Sequence, residues 1–116
     1  MSFREDIDAM NAQFVADWEQ HDAAACAAVY TEDATSLASG IDPAQGRAAI
    51  RATFAAAMEA GYELTRLTTL SAASDGALGY VVQSFESNAG GGTILLVFRR
   101  DGQGAWKVCA EAGVAA

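Results

Sequence analysis

The chain is poor in the residues that most cofactor sites and nucleic-acid sites need. It has one histidine, two cysteines, and seven lysines and arginines against fifteen acids, for a net charge of −8. His21, Cys26 and Cys109 stand too far apart to supply a recognisable metal-ligand spacing. The cysteines form no CxxC pair and read as free, mostly buried thiols in a reducing cytoplasm. The basic footprint that nucleic acid or an anionic membrane requires is missing, and the acidity chiefly favours solubility. No apolar run approaches the ~20 residues of a membrane span. The start, MSFREDID, carries acids where a signal peptide has bases and an apolar core. The glycines of Ser39–Gly46 do not form the GxGxxG cradle of a nucleotide site. The expectation is a cytoplasmic protein without metal, nucleotide or other cofactor, and with neither nucleic acid nor membrane as partner.

What is present is apolar and patterned. Apolar residues make up 52% of 116 residues, enough for one compact domain over 1–116 whose core needs no disulfide. Ser2-x-x-Glu5 is a capping box. Behind it Phe3, Ile7, Met10, Phe14 and Trp18 recur every three or four residues, the stripe of an amphipathic helix. His21–Asp22 breaks that helix. His21 suits an irregular backbone and Asp22 suits the N-cap of the next helix. Ala23–Tyr30 reads as a short buried helix ended by Tyr30, whose hydroxyl needs a partner if buried. Asp33 fits a turn into a short strand, Ala34–Ala38. Ser39–Gly46 reads as a loop, able either to close over a neighbouring cavity or to fray. Arg47–Ala60 is a third helix, with Ile50, Phe54 and Met58 on one stripe and Gly61 as its stop. The period then changes to two. Tyr62–Ala72, Ala77–Ser87, Thr93–Arg100 and Ala105–Gly113 read as strands joined by Asp75–Gly76, Asn88–Gly92 and Asp101–Gly102. Four strands without a helical crossover make a mostly antiparallel sheet, and helices on one face make the fold class α+β.

This order resembles the nuclear transport factor 2-like superfamily, in its SnoaL-like and ketosteroid isomerase-like branch. The resemblance rests on the first helix, the break at His21–Asp22, AVYTEDAT at Ala28–Thr35, GRAAIRATF at Gly46–Phe54, the four strands and FRRDGQGAWKVCAE at Phe98–Glu111. It implies a curved sheet wrapped around helices as a cone-shaped α+β barrel, an apolar cavity for a small apolar molecule, and a homodimer joined through the sheet. In the isomerase branch a tyrosine, a basic aspartate and a protonated aspartate carry the chemistry. By motif those positions fall here on Phe14, Ala38 and Leu96, none of which donates or carries a proton. The histidine pair of dehydratase relatives is missing, and no Asp–Arg–Asp set of the epoxide-hydrolysing branch can be placed.

The resemblance turns the face of Cys109 and Glu111 inward, opposite Trp106, Val108 and Ala110, and likewise Val81, Gln83 and Phe85 of the neighbouring long strand. Glu111 is then the candidate general acid or base, its pKa raised by desolvation. The alternative is a structural carboxylate satisfied by Gln83 or Tyr30, or one turned to solvent by a bulge. Phe14, Trp18, Tyr30, Thr53, Phe54, Met58, Gln83, Phe85 and Leu96 are the expected cavity wall. Three function classes remain open: an isomerase, cyclase or lyase-type enzyme acting through Glu111, a non-catalytic ligand-binding protein, or a dimerisation module with a thinly filled core.

Overall fold

A computed structural model describes residues 2–38 and 41–116. The elements run α1 (Phe3–Glu19), α2 (Ala23–Ala27), β1 (Tyr30–Ala38), β2 (Ile41–Gln45), α3 (Arg47–Glu59), β3 (Leu64–Asp75), β4 (Leu78–Ser87), β5 (Gly90–Arg100) and β6 (Trp106–Ala115). One curled, unclosed sheet has the order β2-β1-β6-β5-β4-β3. Every neighbouring pair is antiparallel except β1 with β6. The fold is α+β, as the periodicities imply.

Local chemistry sets the helices. Ser2 Oγ accepts from Glu5 N at 3.1 Å while Ser2 N donates to Glu5 Oε1 at 3.1 Å, so the capping box satisfies two amides that the helix itself leaves unpaired. The stripe of α1 then faces the sheet, with Ile7 and Trp18 buried. His21 takes a left-handed φ of 55°, which ends α1 and frees Asp22 to cap α2 by accepting from Ala25 N at 3.0 Å. The His21 Nε2 lies 2.6 Å from Glu63 Oε1 on the surface. No helix among the described residues is long and apolar enough to cross a membrane.

Three local expectations change. Tyr30 does not end α2 but opens β1, since the short helix stops at Ala27 and Tyr-Thr favours extended backbone. Asp33 consequently lies inside β1 rather than in a turn, accepting from Thr31 Oγ1 at 2.8 Å and from Arg99 Nη2 at 3.2 Å. Much of the expected Ser39–Gly46 loop is the edge strand β2, whose Thr35↔Gln45 and Ser36↔Ala44 pairs fold it back on β1. Pro43 disguises it, yet an edge strand tolerates proline. Ser39 and Gly40 of that loop lie outside the described residues.

Bulges give the sheet its curl. In β3 the register skips one residue at Thr65 and another at Leu70, which lets Leu64, Leu67, Thr69 and Ala72 pair with Ser87, Phe85, Gln83 and Val81 in turn. In β6 the pairs Phe98↔Val108 and Val97↔Ala110 leave Cys109 as the extra residue. The core lies between the concave face and the helices. Ile7, Ile50, Val81 and Val108 are almost fully buried there, and Phe3 packs edge-on to Phe98 and Trp106 at 5.9 and 4.8 Å.

Candidate functional site

Between α1, α3 and the concave sheet face lies a cavity of ≈ 380 Å³. Its wall is built from the aromatic rings that the helix periodicity brings inward. Phe54 of α3 meets Phe14, Trp18 and Tyr30 edge-on at 5.8, 5.4 and 5.7 Å. Phe85, Ile94 and Leu96 complete it from the strands. Phe85 needs the glycines opposite it: a Cβ on Gly92 would come within 2.2 Å of Val114 O and 2.7 Å of the Phe85 ring.

Of the expected wall residues, Phe14, Trp18, Tyr30, Thr53, Phe54, Gln83, Phe85 and Leu96 border this cavity. Met58 does not. It is buried beside Trp18 and Cys26 in a second cluster, because α3 turns that position towards α2. The Trp18 indole donates to Tyr62 O at 3.0 Å, and Thr53 Oγ1 to Ala49 O at 3.0 Å, so neither bonds Glu111 or Gln83. Cys26 is sealed and its thiol pKa is pushed up to about 12, chiefly by burial and then by the charges of Asp17 and Asp22.

Glu111 borders the cavity, but strict alternation is not the reason. Val108 borders it too, and an unbroken strand would put residues 108 and 111 on opposite faces. The extra residue Cys109 resets the alternation, so Val108 pairs with inward Phe98 and Glu111 with inward Leu96. Cys109, expected to share the inward face, instead lies off the cavity with its Sγ 3.4 Å from Val97 O.

Both hydrogen bonds to the Glu111 carboxyl fall on one oxygen. Tyr30 Oη donates to Oε1 at 2.6 Å and Ser36 Oγ to the same atom at 3.0 Å. Ser36 arrives through the parallel Ser36↔Glu111 pair. Among the described residues Oε2 has no protein partner and is not sealed, and Glu111 as a residue borders the cavity. Glu111 is half-buried, packed against Tyr30 and Ser36. The surrounding protein governs its protonation, since a small apolar void solvates charge poorly. Desolvation raises the Glu111 pKa, outweighing the Tyr30 and Ser36 bonds that lower it. The Tyr30 phenol is held well above its usual value by burial, then by the Glu111 charge and by donating to it. A shared oxygen with two donors and a second oxygen without a protein partner is an arrangement that can give and take one proton.

Two members of the site have no counterpart among the expected residues. Ser36 was readable in principle, since it shares the inward face of the expected strand with Ala34 and Ala38. Asn11 was not. It lies on α1 beside Met10, borders the cavity and donates to Gln83 Oε1 at 3.0 Å. No group of His, Cys, Asp and Glu able to hold a metal ion occurs among the described residues.

Comparison with known proteins agrees with this fold. The family model described as SnoaL-like domain matches residues 11–109. No curated protein has a significant match. Among solved structures, an NTF2-like protein with a cystatin-like fold from Novosphingobium aromaticivorans is 24% identical at a TM-score of 0.71, over 97% of this chain and 80% of that one. A ketosteroid isomerase-like protein from Erwinia carotovora atroseptica is 17% identical at 0.72, over 94% and 92%. A protein from Catenulispora acidiphila in complex with S-DNPA is 16% identical at 0.78, over 97% and 92%.

Proposed function

Because the chain belongs to the SnoaL-like domain family, we propose that it holds a small, largely apolar molecule in its cavity and that Glu111 exchanges a proton with it. The observation that supports this reading is the Glu111 carboxyl on an apolar cavity wall, with both of its protein donors on Oε1 and none on Oε2. A void of ≈ 380 Å³ falls in the ordinary range for a small-molecule site. Trp18, Phe54 and Phe85 border that void and leave it open, which favours a ligand over a thinly filled core. The S-DNPA complex of the Catenulispora protein shows that a neighbour of this fold was solved with a ligand.

Chemically, protonated Glu111 donates from Oε2 to an oxygen or carbon of the ligand. The carboxylate that forms is stabilised on Oε1 by Tyr30 and Ser36, and it recovers a proton in the reverse sense. Isomerase, cyclase and lyase chemistry all contain such a step. The test begins with native mass spectrometry of the purified protein to release and identify a co-purified molecule. Turnover of that molecule is then compared between the wild type and Glu111→Gln. Unchanged turnover removes Glu111 from catalysis, and a molecule held but never transformed leaves a binding protein.

A second copy of the chain is the proposed partner. Tyr80, Leu95 and Leu78 are 43%, 45% and 56% exposed on the convex sheet face, where Tyr80 pairs with Val97 and Leu95 with Val82 and Ala112. An apolar patch of this kind across β4, β5 and β6 supports association through the sheet. Light scattering is expected to find a dimer that Leu95→Glu converts to monomer, and a monomeric wild type would end this proposal.

A further inference from the structure

Gln83 is a buried amide side chain on the cavity wall beside Asn11, and its orientation is settled by a chain of hydrogen bonds reaching the surface. Thr69 pairs with Gln83 across β3 and β4, and Asn11 of α1 lies against both. The solvent-exposed Asp8 carboxylate accepts the Thr69 hydroxyl proton at 2.8 Å. A hydroxyl has one proton, so towards Asn11 the Thr69 oxygen offers only lone pairs. Asn11 therefore presents its NH₂ to Thr69, 3.4 Å away, and the same nitrogen donates its second proton to Gln83 Oε1 at 3.0 Å. The Gln83 oxygen is committed to Asn11, and its NH₂ has to point elsewhere.

That NH₂ has no partner among the described residues, although Gln83 is only 3% exposed. Nor is it sealed in protein: the one sealed, unpaired side-chain atom among the described residues is Trp106 Nε1. Since Gln83 borders the cavity, its NH₂ faces the void as a donor. Gln83 and Glu111 lie two strands apart and one inward step offset, through Gln83↔Ile94↔Gly113 and Leu96↔Glu111. Ordinary sheet spacings then put their Cα atoms about 12 Å apart, leaving room for a ring between the side chains. No lysine or arginine borders the cavity among the described residues, so nothing there would neutralise an anion.

We infer that the ligand is a neutral carbonyl compound whose oxygen is held by Gln83 Nε2, an orientation imposed by Asp8, Thr69 and Asn11. This rests on the cavity reading proposed above and adds the chemical class of the molecule. Gln83 is then a specificity-determining residue and Asn11 the residue that positions it.

The probes are α-tetralone and tetralin, alike in shape and differing in the carbonyl. Binding is measured by titration calorimetry, and the Gln83 side-chain amide is followed by ¹H–¹⁵N NMR. α-Tetralone is expected to bind about two- to tenfold tighter, the worth of one hydrogen bond, and to shift the Gln83 NH₂ signals where tetralin does not. Gln83→Leu should abolish the difference between the two probes. Asn11→Asp replaces the donor facing Gln83 by an acceptor, so Gln83 turns its oxygen to the cavity and the carbonyl preference is lost. The NMR measurement needs no variant and decides the matter should either substitution fail to fold. Equal binding of the two probes overturns the inference while the cavity reading stands, as does a preference that survives Gln83→Leu. If neither probe binds, the cavity reading falls and the inference with it.

Discussion

Replacing Tyr30 by phenylalanine removes one oxygen atom from the interior and tests the proton account of Glu111 directly. The ring is buried and packs on Phe54, and the variant keeps that packing. What disappears is the 2.6 Å bond to Glu111 Oε1, leaving Ser36 as the remaining donor. Below the usual glutamate value of 4.5 the carboxyl is neutral in folded and unfolded chains alike. The lost bond is then an ordinary one, costing about 0.5–1.5 kcal/mol. Once Glu111 ionises, the same bond is charge-assisted and its loss costs about 1.5–3 kcal/mol. The penalty should therefore grow by about 1 kcal/mol as pH rises through the folded pKa of Glu111. The sign for Glu111 itself is the same in both proteins. Its raised pKa contributes stability that is fully present below 4.5 and is lost as pH rises through the folded value, because the unfolded chain ionises first. Tyr30→Phe removes a bond that lowers that pKa and so widens the window of loss. Urea unfolding across a pH series, with the slope unchanged, reads the penalty. Glu111→Gln keeps a carbonyl oxygen for Tyr30 and Ser36, so it should match the wild type in acid, exceed it above the window, and make the Tyr30→Phe penalty independent of pH. A wild-type background penalty that is flat with pH would refute the reasoning.

Two further perturbations address the frame around the site. Gly92→Ala drives a methyl against Val114 O and the Phe85 ring, and is expected to cost about 1–3 kcal/mol in urea and to alter the cavity at Phe85. A midpoint within error of the wild type would mean that the end of β5 yields freely. Ser2→Ala removes one half of the capping box and should cost about 1 kcal/mol, with faster amide exchange confined to the first turn of α1. Exchange unchanged at Glu5 would show that the cap contributes nothing.

The fold was legible because its signals are local. The stripe from Phe3 to Trp18 and the stop at Gly61 each follow from the chemistry of a few adjacent residues. The errors fell where a local signal competes with a tertiary one. Tyr30 follows an alanine run that looks helical, yet its ring is more useful in a strand that carries it to Glu111. Asp42–Pro43 looks like a turn until β1 offers an edge to pair with. At the site, Glu111 and Gln83 were foreseeable as polar residues on inward faces. Met58 shares the helical period of Phe54 but not its direction, because a helix face is wider than the cavity it serves. Asn11 could not be found from sequence, since its significance arises only from lying within reach of both Thr69 and Gln83, more than fifty residues away.

The unpaired Cys109 has a consequence for how this strand tolerates length change. Trp106 and Val108 occupy one parity of the strand, and Glu111 and Gly113 occupy the other, while all of them belong to the inside of the molecule. Cys109 is therefore a removable guest. Deleting it would leave every remaining residue of β6 on its present side and restore an uninterrupted ladder to β5. Deleting Ala112 instead would exchange interior and exterior for everything that follows. The same arithmetic places the cost of removing Cys109 in shape rather than in sidedness: the strand would straighten, and the angle at which Glu111 enters the cavity would change with it.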